Sequence, residues 1–198
     1  MVFWLAILFG VALAALAMRV GFYEMAAVFV HTLVSIYLGL FLTPALVTAI
    51  PAATDIPCGG VMMAAIVAVG TFLILHGLCF ALLTGQFKVP FPMILDRVVA
   101  GGLGFLTGFL IVAFFTILLA SVPMSQSLGL ISENALKTHE SYVGWWCDRI
   151  HGLVGSAPSI HPTLDRIEQL RRIESPKPPQ QAPGRSDPNA PPGVSSQG

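Results

Sequence analysis

The sequence predicts an all-α integral membrane protein: four transmembrane helices arranged as two antiparallel hairpins, then a polar tail with short helices. Three observations predict it. Of 198 residues, 55% are apolar and only 10% are charged, against roughly 25% in an ordinary soluble domain. The mean hydropathy is +0.79. The charge is also segregated: residues 1–122 hold six charges (Arg19, Glu24, Asp55, Lys88, Asp96, Arg97) and residues 123–198 hold the other fourteen.

A helix rises about 1.5 Å per residue, so about 20 apolar residues cross roughly 30 Å of hydrocarbon. The first such stretch is 2–18, closed by Arg19. Ala15-Leu16-Ala17 resembles a signal-peptidase site, but no basic residue precedes the apolar run, so a retained span is expected. The second stretch is 25–48, with Pro44 near its end. The third is 60–84, and the fourth is 98–121, stopped by Pro123. The connections, 19–24, 49–59 and 85–97, are short, which makes neighbouring spans antiparallel.

The tail divides in two. Residues 123–174 contain a helix over 127–154, rich in aromatics (Tyr142, Trp145, Trp146), and a short amphipathic helix over 163–174. The first either lies on the outer leaflet through its Trp pair or packs within its own tail fold. In the second, Thr163 is a suitable N-cap, Leu164, Ile167 and Leu170 share a face, and Glu168–Arg172 is a favourable i,i+4 pair. Residues 175–198 carry seven prolines in 24 positions and almost nothing apolar, a composition that cannot bury a core and is expected to stay disordered.

Basic residues near the spans orient them. Arg19 lies in the first connection, Lys88 and Arg97 in the third, and only Lys137 follows the fourth span closely. The excess places the first and third connections in the cytoplasm and both termini outside. Ten basic residues balance ten acidic ones, without the positive excess that neutralises phosphates, so nucleic acid is excluded as a partner. The expected partners are the bilayer, a second copy of the chain, or other envelope proteins.

No nucleophile-elbow, zinc-protease or phosphate-loop pattern occurs, so no enzymatic activity is expected. His31 and His76 are the ionisable groups deep within spans, where such groups are costly and mark function. Both fall on the predicted cytoplasmic side with Arg19, Glu24, Asp96 and Arg97. These six form a candidate polar cluster, a vestibule able to take protons or an anion. The alternative is that each imidazole bonds to a carbonyl or hydroxyl between packed helices, with Thr32 and Ser35 at hand. A haem held by both imidazoles is disfavoured, and neither metal nor cofactor is expected.

In the fourth span Ala100, Gly104 and Gly108 recur every four residues, with Gly101 beside them. In lipid, close backbone contact drives helix association, so this ridge predicts tight packing in the bundle or at a dimer seam. Of three cysteines, Cys79 is a small apolar residue of the third span. Cys58 and Cys147 fall on the predicted outer side, where they either bridge or remain two free thiols.

Residues 1–122 resemble the colicin V production protein family of small bacterial inner-membrane proteins. The resemblance rests on Arg19-Val20-Gly21-Phe22 with Glu24 soon after. It rests also on Leu95-Asp96-Arg97 and on Gly101-Gly102-Leu103-Gly104-Phe105-Leu106-Thr107-Gly108 before an Ile/Val/Phe/Leu run. Family members often carry a second basic residue where Thr107 stands, and the tail lies outside the pattern. The resemblance implies a non-catalytic role in secretion of a peptide toxin or in envelope homeostasis. It brings no catalytic residues. The competing expectation is a small oligomeric transporter or channel built on the cytoplasmic polar cluster.

Overall fold

A computed structural model describes residues 2–50, 58–83, 93–122, 132–154 and 162–174. Six helices account for almost all of them: α1 (Val2–Val20), α2 (Phe22–Ala49), α3 (Gly59–Leu83), α4 (Met93–Ser121), α5 (Glu133–Val154) and α6 (Pro162–Glu174). The first four are long and apolar enough to cross a membrane. Their outward faces carry large apolar side chains such as Trp4, Ile66, Leu73 and Phe80, each more than 60% exposed. Water does not tolerate so continuous an apolar surface, whereas lipid does. The chain is an all-α membrane protein.

The spans begin and end within a few residues of expectation, except that α4 starts earlier, at Met93, and so takes Asp96 and Arg97 into its first turns. Pro44 does not stop α2, which runs on to Ala49. The amide that proline lacks would have bonded the Leu40 carbonyl; on either side Thr43 donates to the Gly39 carbonyl at 2.6 Å and Thr48 to that of Ala45 at 2.7 Å. Pro123 and the expected disordered segment 175–198 lie outside the described residues, as do Asp55 and Lys88.

Only one pair of chain neighbours among the four spans, α2 and α3, packs closely. α1 packs chiefly on α4, α2 packs on α3, and α2 meets α4 in the centre, whereas α1–α2 and α3–α4 touch lightly. Backbone proximity explains the α1–α4 pair. A Cβ built on Gly104 would lie 2.5 Å from the Ala17 Cβ and 2.8 Å from the Leu13 carbonyl oxygen, and one on Gly108 would lie 2.8 Å from the Gly10 Cα. Gly101 faces Met18, and Ala100 is fully buried. The ridge is therefore spent inside the bundle, against α1. Gly102 points away from it, with nothing within 4 Å of its Cβ position.

The tail is where sequence reasoning falls short. α5 neither rests on a leaflet nor folds only with its own tail. Val143 and Cys147 of α5 and Ile167 and Leu170 of α6 are buried in one core with Leu33, Ile36 and Leu40 of α2 and Leu110, Phe114 and Ile117 of α4. Within α6, Ile167 and Leu170 face this core as expected, but Leu164 is 41% exposed. The Glu168–Arg172 pair forms at 3.4 Å on the outer surface. Thr163 does not cap its own helix. Its amide (3.1 Å) and hydroxyl both donate to the Asp148 Oδ1 of α5, so a carboxylate from the neighbouring helix satisfies an unpaired first-turn amide of α6.

Candidate functional site

The six residues of the expected polar cluster do not form one site. Asp96 serves the turn between α1 and α2. Its Oδ1 accepts the Phe22 amide at 3.0 Å, satisfying one of the unpaired donors at the start of α2. Gly21, at φ 104, shapes that turn, and a Cβ there would lie 3.5 Å from the Asp96 Oδ2. Arg19, Glu24 and Arg97 are exposed around it.

His31 lies nine residues beyond Phe22 along α2, about 14 Å away by helical rise, so the imidazoles and Asp96 are separate places. What α2 and α3 do bring together is His31 and His76. Their rings meet edge to face with centroids 6.0 Å apart, and Phe72 stacks on His76 at 5.6 Å. The alternative of hydroxyl partners does not hold for His31. Ser35 donates to the His31 carbonyl at 2.6 Å and Thr32 to that of Val28 at 2.8 Å, so both hydroxyls are occupied by their own helix. The His31 Nδ1 is buried without a hydrogen-bond partner, while His76 is exposed on the outer side of α3. Among the described residues no group of three His, Cys, Asp or Glu is placed to hold a metal ion.

The second polar locus was not visible in the sequence. α5 carries a line of polar and aromatic groups onto the spans. His139 is fully buried against Phe109 of α4, centroids 5.3 Å apart, and neither ring nitrogen has a partner. Burial holds its pKa below the ordinary 6.5, so it sits neutral. The Tyr142 hydroxyl donates to the Leu106 carbonyl at 3.4 Å, and Trp146 meets Phe29 edge to face at 5.1 Å. His151 Nδ1 and the Tyr37 hydroxyl are hydrogen-bonded at 2.9 Å, and the His151 ring stacks on Phe41. Arg171 of α6 is ion-paired with Glu140 of α5, which locks the two tail helices together.

These contacts fix where α5 crosses. Leu106 is the fourteenth of 29 residues in α4, and Tyr37 is the sixteenth of 28 in α2. α2 and α4 run parallel; α5 meets α4 at Leu106 and Phe109 and meets α2 at Phe29, Tyr37 and Phe41. α1 gives an independent gauge. It has 19 residues, about 28 Å and so barely enough to span, and its ninth, Gly10, packs on Gly108 beside Phe109. Phe109, on which His139 of α5 packs, therefore lies level with the middle of α1.

Of the two readings of Cys58 and Cys147, the structure has the free thiols: no bridge joins them, and all three cysteines are free. Cys147 faces inward from α5 into the core, whereas Cys58 precedes α3 at the end of that helix. Burial, with Asp148 adding to it, pushes the Cys147 thiol up to about 12, which keeps it protonated and inert. No protein-family model matches the chain, and no curated protein or solved structure is significantly similar to it.

Proposed function

We propose that the chain is a non-catalytic component of a bacterial inner membrane that supports peptide secretion or envelope homeostasis by holding amphipathic helices against its spans. The observation that carries this reading is the shared core: Val143, Cys147, Ile167 and Leu170 of the tail are buried together with side chains of α2 and α4. A bundle that seats an amphipathic helix on its spans has a binding surface, and binding is what a secretion or assembly component does. The resemblance of residues 1–122 to the colicin V production family supports the same role. In this reading both termini lie outside. A reporter active only in the cytoplasm, fused after Gly198, should stay silent; activity would reverse the orientation. Deleting 127–174 should abolish the supporting activity in cells, while His31→Ala and Asp96→Asn leave it nearly intact.

A second reading is favoured by one specific observation, the His31–His76 contact with its unpartnered buried nitrogen. It makes the chain a small proton-coupled transporter, functioning as an oligomer. In liposomes His31→Ala would then abolish flux while the helical content is unchanged, and deletion of the tail would not mimic it.

A further inference from the structure

The inner face of α5 carries an unmet polar group. His139 is fully buried, and neither Nδ1 nor Nε2 has a hydrogen-bond partner. A neutral imidazole holds one N–H and one lone pair, so in either tautomer both a donor and an acceptor go unanswered. The surroundings are apolar. Phe109 lies against the ring at 5.3 Å, and Phe3 of α1, Phe105 of α4 and Tyr142 of α5 pack around Phe109. Tyr142, one turn on, gives its hydroxyl to the Leu106 carbonyl. The neighbouring helices bring no counter-charge to the ring. α4 has no ionisable side chain between Arg97 and its end at Ser121, and α1 has only Arg19, nine residues from Gly10. From α6, Arg171 is paired with Glu140. From α2, Tyr37 is bonded to His151, twelve residues along α5 from His139. The seat is thus made at a cost, and the cost grows when the ring gains a proton, because a charge is harder to bury than a dipole.

α6 is tied to α5 and moves with it, through Glu140–Arg171 and through the Asp148 carboxylate on the Thr163 amide. Together the two helices share a core with Leu33, Ile36 and Leu40 of α2 and Leu110, Phe114 and Ile117 of α4. We infer that α5 and α6 are a cover over that surface of α2 and α4 which acid releases: a proton taken up by His139 lifts the pair off the spans and bares the surface beneath. The seated imidazole is held below its ordinary 6.5 by burial, whereas the released ring titrates at 6.5. Release therefore takes up a proton and is favoured as pH falls below 6.5. What the bared surface then does rests on the binding role proposed above: the tail occupies the seat that a partner helix takes, and acid clears it.

The test uses the full chain in lipid nanodiscs with Cys58→Ser and Cys79→Ala, which leaves Cys147, fully buried on the inner face of α5, as the remaining thiol. Its rate of reaction with a maleimide, divided at each pH by the rate for the same chain denatured, follows the released fraction free of the thiol's own titration. Between pH 7.5 and 5.5 the ratio should rise several-fold, with a ceiling of about tenfold for one imidazole that titrates at 6.5 when released. His139→Phe keeps a ring against Phe109 without the nitrogens and should hold the ratio low and flat. His139→Gln keeps a polar group that gains no proton and should also be flat. His151→Gln should leave the rise in place. A flat ratio in the chain with His139, a rise that survives either His139 variant, or a rise lost in His151→Gln would overturn the inference. A fluorescent peptide of residues 133–154 with His139→Phe and Cys147→Ala probes the bared surface. Above its binding to empty nanodiscs, it should bind the chain at pH 5.5 and not at 7.5. Acid exposure of Cys147 without peptide capture would uphold the release and overturn instead the binding role of that surface.

Discussion

The α1–α4 seam offers the most direct test of the fold. Substituting Gly104→Ala would bring a methyl 2.5 Å from the Ala17 Cβ and 2.8 Å from the Leu13 carbonyl oxygen, where ordinary contact begins at 3.4 Å. Relieving the first clash alone needs α1 to retreat by 0.9 Å (3.4 − 2.5). The second opposes backbone, which cannot rotate aside. A gap of that size forfeits about a quarter to a half of the dispersion attraction between facing atoms. In lipid no compensating apolar burial holds the helices together. Overpacking costs about 1–3 kcal/mol, and the loss along the neighbouring contacts of Gly10, Gly101 and Gly108 puts this site at the upper end. The assay is equilibrium unfolding in detergent, with Gly102→Ala as control. Nothing lies within 4 Å of a Cβ at Gly102, so that change should be neutral or, through helix propensity, slightly stabilising. Combining Gly104→Ala with Ala17→Gly should recover part of the loss, because the Leu13 carbonyl remains. Equal stability of the Gly104 and Gly102 variants would refute the reasoning.

Other expectations follow from single contacts. Asp96→Ala removes the acceptor for the Phe22 amide and should cost about 1 kcal/mol of stability, whereas Asp96→Asn keeps an acceptor and should cost less; unfolding of the two variants separates them. Gly21→Ala forces a side chain into a conformation at φ 104 that essentially only glycine adopts, and should cost about 1–3 kcal/mol in the same measurement. In the native protein Cys147 should resist a maleimide at neutral pH while the half-buried Cys58 reacts, and denaturation should make both reactive, as counted by mass spectrometry. For His139 the released imidazole titrates at the ordinary 6.5 and the seated one below it, so the released state binds more protons in that interval. Seating of α5 is thus at full strength above pH 6.5 and weakens as pH falls below it; Trp fluorescence should follow the loss, and His139→Phe should flatten the profile.

Four spans are legible in the sequence because hydrocarbon imposes one demand, apolar length, and residues 2–18, 25–48, 60–84 and 98–121 meet it without help from tertiary context. The Gly104 ridge is legible for a related reason, since a smooth strip in lipid is useful only against another backbone. Its partner was not: nothing local in Val2–Val20 distinguishes α1 from the other spans as the helix that needs it. The tail shows the opposite limit. Its amphipathic pattern identifies a helix with one apolar face but says nothing of which surface accepts that face, and the charges of α5 argued for water. His139 illustrates the difficulty best. A histidine between Thr138 and Glu140 has the surroundings of a surface residue, and only the Phe109 ring across the interface buries it. The His31–His76 contact was half visible, because both residues fall on the same predicted side of neighbouring spans. The separation of Asp96 from it came from a role, completing the start of α2, that no spacing announces.

Pairing α1 with α4 also sets a schedule for biogenesis. Gly10 and Gly108 are 98 positions apart in the chain (108 − 10), and α2 and α3 emerge between them. At about 5–20 residues per second of synthesis, α1 waits roughly 5–20 seconds in the bilayer before its partner exists. During that time its small-residue face, Gly10 and Ala17, is open to any helix able to approach closely. The α4 of a neighbouring nascent copy presents the same ridge. Crowded synthesis of this protein therefore favours exchange of the first span between copies, and slow, sparse expression favours each chain closing on itself.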